Sequence, residues 1–500
     1  MQSFNLNGGI QRTHRNQPNM PPPVKDIGSI PLFVDLDGSL IATDCLWESL
    51  LILLKEKPLH FLYVPGWILK GKHHFKKRVT DNAELEVTVL PFRQNVLEYI
   101  QEARNQNRRI ILATATDERI ATKVADFNGI FDEVIATNEN INLAGKHKLE
   151  RIKELTQNQE FDYIGNSSAD FPIWGAARRA IVVSSDKKFV NKVRRINPDV
   201  ETLPSLKSGL TTIIKAMRVH QWIKNLLLFI PLLLAHRIFE SDTVLKTFIA
   251  FISFSLCASS VYVLNDIFDL ESDRSHPRKK YRPFASGALQ IPTAIMLVPL
   301  LIIASSLLAI FGVSWNFTFA LWTYSLLTSL YSFRLKKIAI LDVLLLAGLY
   351  SFRLYAGSVA GNVFLSPWLI AFAMFLFLSL AFVKRYSELL ITISSNNSKP
   401  SGRGYYASDI EIVQSVGMAS GLVSVLVFAL YMNSREVTEL YRHSQMLWVV
   451  GMCLLYWIIR VWLIAHRGEM HDDPIIFTVK DKTSYLIMAI VFCAMIIAAL

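Results

Sequence analysis

Two kinds of hydrophobic pattern share this chain. Up to about residue 210 the apolar positions come in short runs. "IPLFVDLDGSLIATD" (30–44), "RIILATAT" (109–116) and "FDYIGNSSADFPIW" (161–174) each read as an apolar strand running into polar residues, and helical stretches alternate with them. Such alternation predicts a parallel sheet with its ligand site at the strand C-termini. From about 222 onward the pattern changes, and apolar stretches repeat to the C-terminus. Nine candidate spans are counted: 222–239, 245–265, 289–311, 314–332, 339–360, 366–383, 414–432, 445–465 and 483–500. Each is near the ~20 residues that a helix needs to cross the hydrocarbon core. The expected architecture is an α/β Rossmann-like domain followed by an all-α nine-helix transmembrane bundle.

Composition sharpens this picture in three places. The 500 residues are 52% hydrophobic, and nearly all of that excess falls in the second half. The formal charge of +11 concentrates in alternate loops of the bundle. One set carries Arg274, Arg278, Lys279, Lys280, Arg282, Arg334, Lys336, Lys337, Lys384, Arg385, Lys399, Arg403, Arg467, Lys480 and Lys482, whereas the other carries only Arg237, Arg435 and Arg442. The positive-inside rule puts the first set, and the N-terminal half with it, on the cytoplasmic side of the cell membrane. The basic excess is thus topological and implies no nucleic acid. Cys45, Cys257, Cys453 and Cys493 are isolated, which speaks against a zinc site or a disulfide framework. Residues 1–27 read as a flexible polar tail and 201–215 as a linker. The segment 45–90 is apolar and basic together, interrupted by Lys55, Glu56, Lys57, Pro58 and Pro65. It reads as a helical cap inserted into the first domain, either lying on the membrane face or buried as an ordinary cap.

The chemistry of the bundle centres on "VYVLNDIFDLESDRSHPRKKYRPFASG" (261–287), where a membrane-type run ends in Asn265, Asp266, Asp269 and Asp273. Asn265, Asp269 and Asp273 are spaced i, i+4, i+8, which on a continuous helix gives one face, about 6 Å apart in rise. Asp266 is expected to point away by about a quarter turn. Hard oxygen ligands of this kind suit Mg²⁺ that shares its shell with substrate phosphates. Arg278 to Arg282 would offset a diphosphate held there. The bland alternative is a solvated acidic helix end, but charged clusters at a membrane boundary are functional by default.

The N-x3-D-x3-D at the end of a second span, followed by "RP", resembles the UbiA family of intramembrane prenyltransferases over about 216–500. The resemblance implies a polyprenyl lipid, an anionic diphosphate donor and Mg²⁺ on Asn265, Asp269 and Asp273. The family's second acidic motif is missing: "FVKRYSELLITISSNNSKPSGRGYYASDIE" holds only Glu388, Asp409 and Glu411. "RVHQWIKN" (218–225), "YSFRLKK" (331–337), "LDVLLLAGLYSFRLYAG" (341–357), "KRYSEL" (384–389) and "DDPIIFTVKDK" (472–482) resemble its decaprenyl-phosphate phosphoribosyltransferase branch. That branch moves ribose 5-phosphate from phosphoribosyl diphosphate onto a polyprenyl phosphate. Two anionic partners call for a cationic lining, and Lys224, Arg282, Lys336, Arg353, Lys384 and Arg385 are the candidates. Asp342 and Arg353, three turns apart on span five, lie deep in an apolar stretch.

The first domain, about 28–200, resembles the haloacid dehalogenase (HAD) superfamily of phosphatases. D-x-D-G-S at 35–39, Thr114, Lys148 in "GKHKLERI" (with Lys146 as alternative) and G-N-x3-D at 165–170 follow in the family's order. The resemblance implies that Asp35 is the nucleophile and Asp37 the general acid/base. Thr114 and Lys148 would hold the phosphoryl oxygens, and Mg²⁺ would sit among Asp35, Asp37, Asn166 and Asp170. Asn166 stands where the family usually has Asp, so metal binding is expected to be weaker. The reading that follows is a membrane transferase fused to a phosphatase acting on its product. The rival is an aromatic-acceptor polyprenyltransferase with a regulatory or degenerate HAD domain. A lipid transporter is disfavoured by the Mg²⁺-type ligands.

Overall fold

The computed structural model describes residues 30–138, 142–206, 208–394, 403–434, 437, 441–470 and 473–500. The tail at 1–27, Lys399 and Arg435 lie outside them. The chain divides between Ser205 and Leu206 into two compact units.

The first unit is a six-stranded, wholly parallel sheet of order β3-β2-β1-β4-β5-β6. Its strands are β1 (Leu32–Val34), β2 (Ile110–Asp117), β3 (Glu133–Thr137), β4 (Asp162–Gly165), β5 (Arg179–Val183) and β6 (Val200–Leu203). Strands buried on both faces read as continuous apolar runs. Helices α4 (Gln94–Asn105), α5 (Glu118–Asn128), α6 (Lys146–Leu155), α7 (Phe171–Ala176) and α8 (Lys187–Arg194) connect them. One core cluster gathers Leu32, Val34, Ile110 and Leu112, and another gathers Phe33, Ile111, Tyr163 and Val182. Alternate residues of β1 thus feed opposite faces of the sheet. The chain builds outward from β1 to β2 and β3, then returns to lay β4 on its other side. β1 and β4 therefore flank the switch point where such sheets bind ligands. β6 begins at Val200 and pairs with β5, so the sheet extends into the stretch expected to be linker.

Between β1 and β2 the insert forms α1 (Cys45–Glu56), a 3-10 segment (Pro58–Tyr63), α2 (Val64–Leu69) and α3 (Lys72–Asn82). Asp44 caps α1, its carboxylate accepting from the backbone N–H of Leu46 at 2.9 Å and of Trp47 at 3.2 Å.

The second unit is all helical. After α9 (Leu210–Ala216) come a 3-10 stretch (Val219–Phe229) and the short α10 (Ile230–Leu234). Then follow α11 (Ser241–Phe268), α12 (Leu270–Ser275), α13 (Ile291–Gly312), α14 (Trp315–Phe333), α15 (Leu341–Gly361), α16 (Pro367–Ser394) and α17 (Ile410–Met432). The last are α18 (Leu447–His466), α19 (Pro474–Lys480) and α20 (Lys482–Ala499). Seven helices among the described residues are long and apolar enough to cross a membrane, against the nine spans expected. The two exceptions have physical causes. The first stretch winds as a 3-10 helix and then breaks, leaving only Val219–Leu234 as a short apolar helix. α14 is 19 residues long but spends seven positions on Asn316, Thr318, Thr323, Ser325, Thr328, Ser329 and Ser332.

Small and hydroxylated residues set the helix spacing, as expected where lipid removes the hydrophobic drive for association. A Cβ added to Gly357 would sit 2.1 Å from the Leu228 carbonyl oxygen, so α15 and the 3-10 stretch touch backbone to backbone. Ser379 Oγ donates to the Gly417 carbonyl at 2.7 Å and accepts from Trp462 Nε1 at 3.0 Å, tying α16, α17 and α18 together.

Candidate functional sites

In the first unit the side chains singled out in the sequence meet at the C-terminal ends of β1, β2 and β4. Asp35 follows β1 directly, and its N–H donates to the Ile164 carbonyl at 2.9 Å. By register, Asp35 is level with Ala113 and Leu36 with Thr114, so the buried Thr114 stands beside the Asp35 turn. Lys148, in the first turn of α6, is buried and donates to Asp35 Oδ1 at 2.7 Å and to Tyr163 Oη at 3.1 Å. Lys146, the alternative, is exposed. Tyr163 passes the connection on by donating to Asp170 Oδ1 at 2.9 Å. Asp170 Oδ2 accepts from the N–H groups of Asn166 and Ser167 at 3.1 and 3.0 Å. Ser39 Oγ bridges Asp35 Oδ2 at 3.2 Å and Asn166 Oδ1 at 3.1 Å. Gly38, at φ +75°, permits this closeness: a Cβ there would lie 2.1 Å from Asn166 Nδ2. Asp37 accepts from the Cys45 N–H at 2.9 Å and from the Thr116 hydroxyl.

The electrostatics follow from crowding. Burial, Asp170 and Asp37 push the Asp35 carboxyl up to about 7 despite Lys148. Burial opposes the charge on Lys148, yet Asp35, Asp170 and Asp37 outweigh it and hold the ammonium above its usual range. Asp44 is raised to about 6 by burial and by Asp37. The site has more negative than positive side chains, and its donors are hard oxygens, the set that fits Mg²⁺. Asp35, Asp37, Asn166 and Asp170 are the residues that would hold such an ion, and the carboxylates among them also accept bonds from the protein. Asp170 in addition orients the Asn166–Ser167 turn.

One residue was not foreseen. Lys76 of α3, in the insert, donates to the Ala115 carbonyl at 2.6 Å and to Asn142 Oδ1 at 3.3 Å. Burial lowers its pKa against the pull of Asp37 and Asp44. In the sequence it is one cation within the basic run "KHHFKKR", and nothing local distinguishes it from Lys72 or Lys77.

In the second unit the acidic row is divided. α11 ends at Phe268 and α12 begins at Leu270, with Asp269 at the junction (φ −97°, ψ 12°). Asp269 pairs with Lys336 at 3.1 Å, from the turn after α14. Asp273 is buried and pairs with Arg282 at 2.5 Å. Asp266, expected to point away, is buried too. It shares Arg282 at 3.2 Å and also pairs with Arg218, whose guanidinium lies 5.3 Å from the Tyr262 ring centroid. Asn265 Nδ2 donates to Ser332 Oγ at 2.9 Å, which orients the amide and leaves its oxygen as an acceptor. The donor set is two carboxylates and an amide oxygen. That fits Mg²⁺ completing its shell with diphosphate oxygens better than a dedicated protein cage. No group of three metal-ligating His, Cys, Asp or Glu side chains occurs among the described residues.

A second charged cluster was not assembled from the sequence. Asp473 accepts from Lys224 at 3.0 Å and from Lys384 at 3.3 Å. Lys224 Nζ lies 5.7 Å from the Tyr350 ring centroid, and the Arg353 guanidinium lies 5.1 Å from it. Arg353 is buried and donates to neutral acceptors: Asn225 Oδ1 at 3.0 Å, the Leu349 carbonyl at 2.7 Å and Tyr324 Oη at 2.6 Å. Asn225 in turn bonds Ser255 at 2.9 Å, which places Arg353 beside α11 about 15 Å deeper than Asn265. Arg385 goes elsewhere. It is fully buried, 2.8 Å from Asp342 Oδ2 and paired with Glu388, while Tyr405 Oη donates to Asp342 at 2.7 Å. Asp342 and Arg353 therefore serve different clusters.

Comparison with known proteins agrees with this division. Residues 226–389 match the UbiA prenyltransferase family, and residues 32–174 match the haloacid dehalogenase-like hydrolases. An uncharacterized protein of Sinorhizobium fredii is 35% identical over 472 residues, covering 94% of this chain and 91% of its own. A decaprenyl-phosphate phosphoribosyltransferase of Mycolicibacterium smegmatis is 35% identical over 237 residues, 46% of this chain and 72% of its own. Among solved structures, a UbiA homolog from Archaeoglobus fulgidus bound to GPP and Mg²⁺ superposes with TM-score 0.45 at 17% identity, over 57% of this chain and 99% of its own.

Proposed function

The chain belongs to the UbiA prenyltransferase family as a multi-pass membrane protein with a haloacid dehalogenase-like domain preceding the bundle in sequence, and from that premise we propose a two-step activity. The bundle transfers phosphoribose from phosphoribosyl diphosphate to a polyprenyl phosphate, and the first unit then removes the 5-phosphate of the product. The observation that carries this reading is the density of cations at the acidic end of the bundle. Arg218, Arg282 and Lys336 attend Asp266, Asp269 and Asp273, and Lys224 and Lys384 share Asp473. Arg353 adds a buried charge held by neutral partners. Two phosphorylated substrates need that much positive charge; a neutral or singly charged acceptor does not.

In the transfer step an acceptor phosphate oxygen forms a bond to the anomeric carbon. The bond from that carbon to the diphosphate breaks, and the diphosphate leaves with the electron pair. Mg²⁺ held by Asn265, Asp269 and Asp273 would neutralise the leaving charge. Lys336 and Arg282 exchange their carboxylate partners for diphosphate oxygens as the donor enters. Lys224 and Lys384 orient the acceptor phosphate, which is already ionised near neutral pH and needs no strong base. A cavity of about 610 Å³, lined by Asn316, Phe319, Thr323, Phe352, Tyr355 and Asn362, adjoins the rings around Arg353 through Phe352.

In the second step Asp35 attacks phosphorus, and the ribose O5 leaves with a proton from Asp37. Water then attacks the aspartyl-phosphate as Asp37 takes a proton back. Lys148 offsets the charge where Asp35 meets the phosphate. The basic loops support a cytoplasmic mouth for the transferase.

The test is product identity. Full-length protein in lipid nanodiscs receives phosphoribosyl diphosphate, polyprenyl phosphate and Mg²⁺, and the lipids are analysed by mass. The expected product is the polyprenyl phosphate plus ribose, with inorganic phosphate released. A prenylated aromatic acid formed from polyprenyl diphosphate, with no ribosylated lipid, would overturn the reading in favour of an aromatic acceptor.

A further inference from the structure

Among the described residues of the first unit, eight large hydrophobic side chains are exposed, and six of them fall within eleven consecutive positions of the insert. Leu59 (74% exposed), Leu62 (76%), Tyr63 (62%), Ile68 (54%) and Leu69 (88%) lead this group, with Phe61 beside them. Single exposed hydrophobics are ordinary on a soluble surface, but a contiguous set marks an interaction face. The sequence around it is one-signed. Residues 58–80 contain Lys70, Lys72, Lys76, Lys77 and Arg78 and no Asp or Glu. Lys70, Lys72 and Arg78 are exposed.

We propose that the 59–72 face of the insert is a membrane-binding surface that seats its leucines and Tyr63 in the interfacial region of an anionic bilayer, with Lys70, Lys72 and Arg78 on the headgroups. The charge pattern selects the occupant. Glu56 and Asp81 are exposed just outside this stretch, and Asp81 is paired with Arg119, so the charge next to the apolar tip is mainly positive. An apolar tip with such a border matches a negatively charged lipid surface, the arrangement by which peripheral segments bind membranes. A protein partner would need a matching acidic rim, whereas anionic lipid supplies it everywhere. The local fold suits the task. Val64 is the buried anchor of α2, and the core beneath takes in Val64 and Val79 while Trp67 and Phe75 pack against it. The exposed side chains therefore stand on a held platform. Pro58 and Pro65 each sit at a helix start, so the platform is made of short turns that present consecutive residues outward.

The test reads lipid contact directly and is independent of either enzymatic step. Full-length protein with Cys453→Ser and Cys493→Ser receives Leu62→Cys or Leu69→Cys, labelled with an environment-sensitive dye; the other native cysteines are buried. Glu160→Cys serves as the exposed control. In nanodiscs containing phosphatidylglycerol, spin-labelled lipid is expected to quench dyes at 62 and 69 at least threefold more than the dye at 160. Charge reversal by Lys70→Glu with Lys72→Glu, or phosphatidylcholine alone, should remove most of that difference. Equal quenching at all three positions would overturn the proposal. So would a dye at 62 and 69 that is shielded in detergent and in bilayer alike without lipid quenching, because that signals a protein contact.

Discussion

Around Asp35 the carboxylates outnumber the cations, whereas around Asp269 and Asp273 each carboxylate has its own. Lys148 pairs with Asp35, while burial, Asp170 and Asp37 raise the Asp35 carboxyl to about 7. In the bundle Asp269 has Lys336, Asp273 has Arg282, Asp266 has both Arg218 and Arg282, and Asp473 has Lys224 and Lys384. The difference is not one of exposure: the Asp35 side chain is 10% exposed and that of Asp269 41%. It lies in the cations supplied, one lysine from α6 beside Asp35 against arginines and lysines from several segments in the bundle, where breaking a buried pair would be costly. The consequence for ligand binding is different in each place. On the proposed function, the first site would gain a cation and a phosphate as additions, while the second would trade internal partners for external ones.

The largest effect expected from this contrast is at Asp35. Asp35→Asn keeps the size and the hydrogen bond from Ser39 but removes the nucleophile. Dephosphorylation should fall by about 10³-fold or more. In the full-length protein, transfer should continue and the 5-phosphorylated lipid should accumulate, seen as a mass gain of one phosphate over the wild-type product. Identical masses from mutant and wild type, with transfer running in both, would assign the first unit some other task.

The second effect separates two aspartates that share one arginine. Asp273→Asn leaves Arg282 paired with Asp266, so the fold should hold while transfer drops by about 10²-fold through lost charge stabilisation. Asp266→Asn takes the carboxylate from Arg218, and the loss should appear mainly as stability, about 3 kcal/mol for a buried pair with one partner removed. Melting curves in detergent and transfer rates, measured on both variants, decide between these roles. Equal losses of activity at unchanged stability would make Asp266 a ligand like its neighbour.

The sequence made some of this visible and hid the rest for identifiable reasons. The D-x-D-G-S turn, Lys148 and G-N-x3-D were legible because each follows a short apolar strand or opens a helix, and a parallel sheet brings strand ends together. Asn265, Asp269 and Asp273 were legible from their spacing. Their division was not, because the break at Asp269 and the capture of Asp266 depend on Arg218 and Arg282 arriving from other segments. Asp473 carries no local signal of its cluster: its partners Lys224 and Lys384 lie 249 and 89 positions away, a proximity no local pattern encodes. The span count suffered from a different limit. Reading spans by their apolar runs neither sees the 3-10 winding of Val219–Phe229 nor discounts enough for the hydroxyl-bearing residues spread along α14.

Smaller effects probe the first site from within. Asn166→Asp restores a carboxylate beside Asp35 and strengthens the charge deficit, so the Mg²⁺ concentration for half-maximal phosphatase activity should fall roughly tenfold. Ser39 still has an acceptor at 166, so the turn should keep its shape. An unchanged Mg²⁺ requirement would mean that residue 166 does not face the ion.

The smallest effect belongs to Lys76, which reaches the site from the insert and therefore from the side on which a large substrate must lie. It bonds the Ala115 carbonyl and Asn142, and it feels the charge of Asp37 and Asp44, but it forms no ion pair with Asp35. Such a group recognises the part of the substrate beyond the phosphate being removed. Lys76→Met keeps most of the buried stem and deletes the charge. For the phosphoribosylated lipid, whose second phosphate links ribose to the chain, KM should rise about five-fold with kcat nearly unchanged, the signature of lost uniform binding. For a small monoester such as p-nitrophenyl phosphate neither constant should move. A fall in kcat on both substrates would instead place Lys76 with Lys148 at the reacting phosphate, and the excess of carboxylates around Asp35 would then be smaller than the pairing pattern implies.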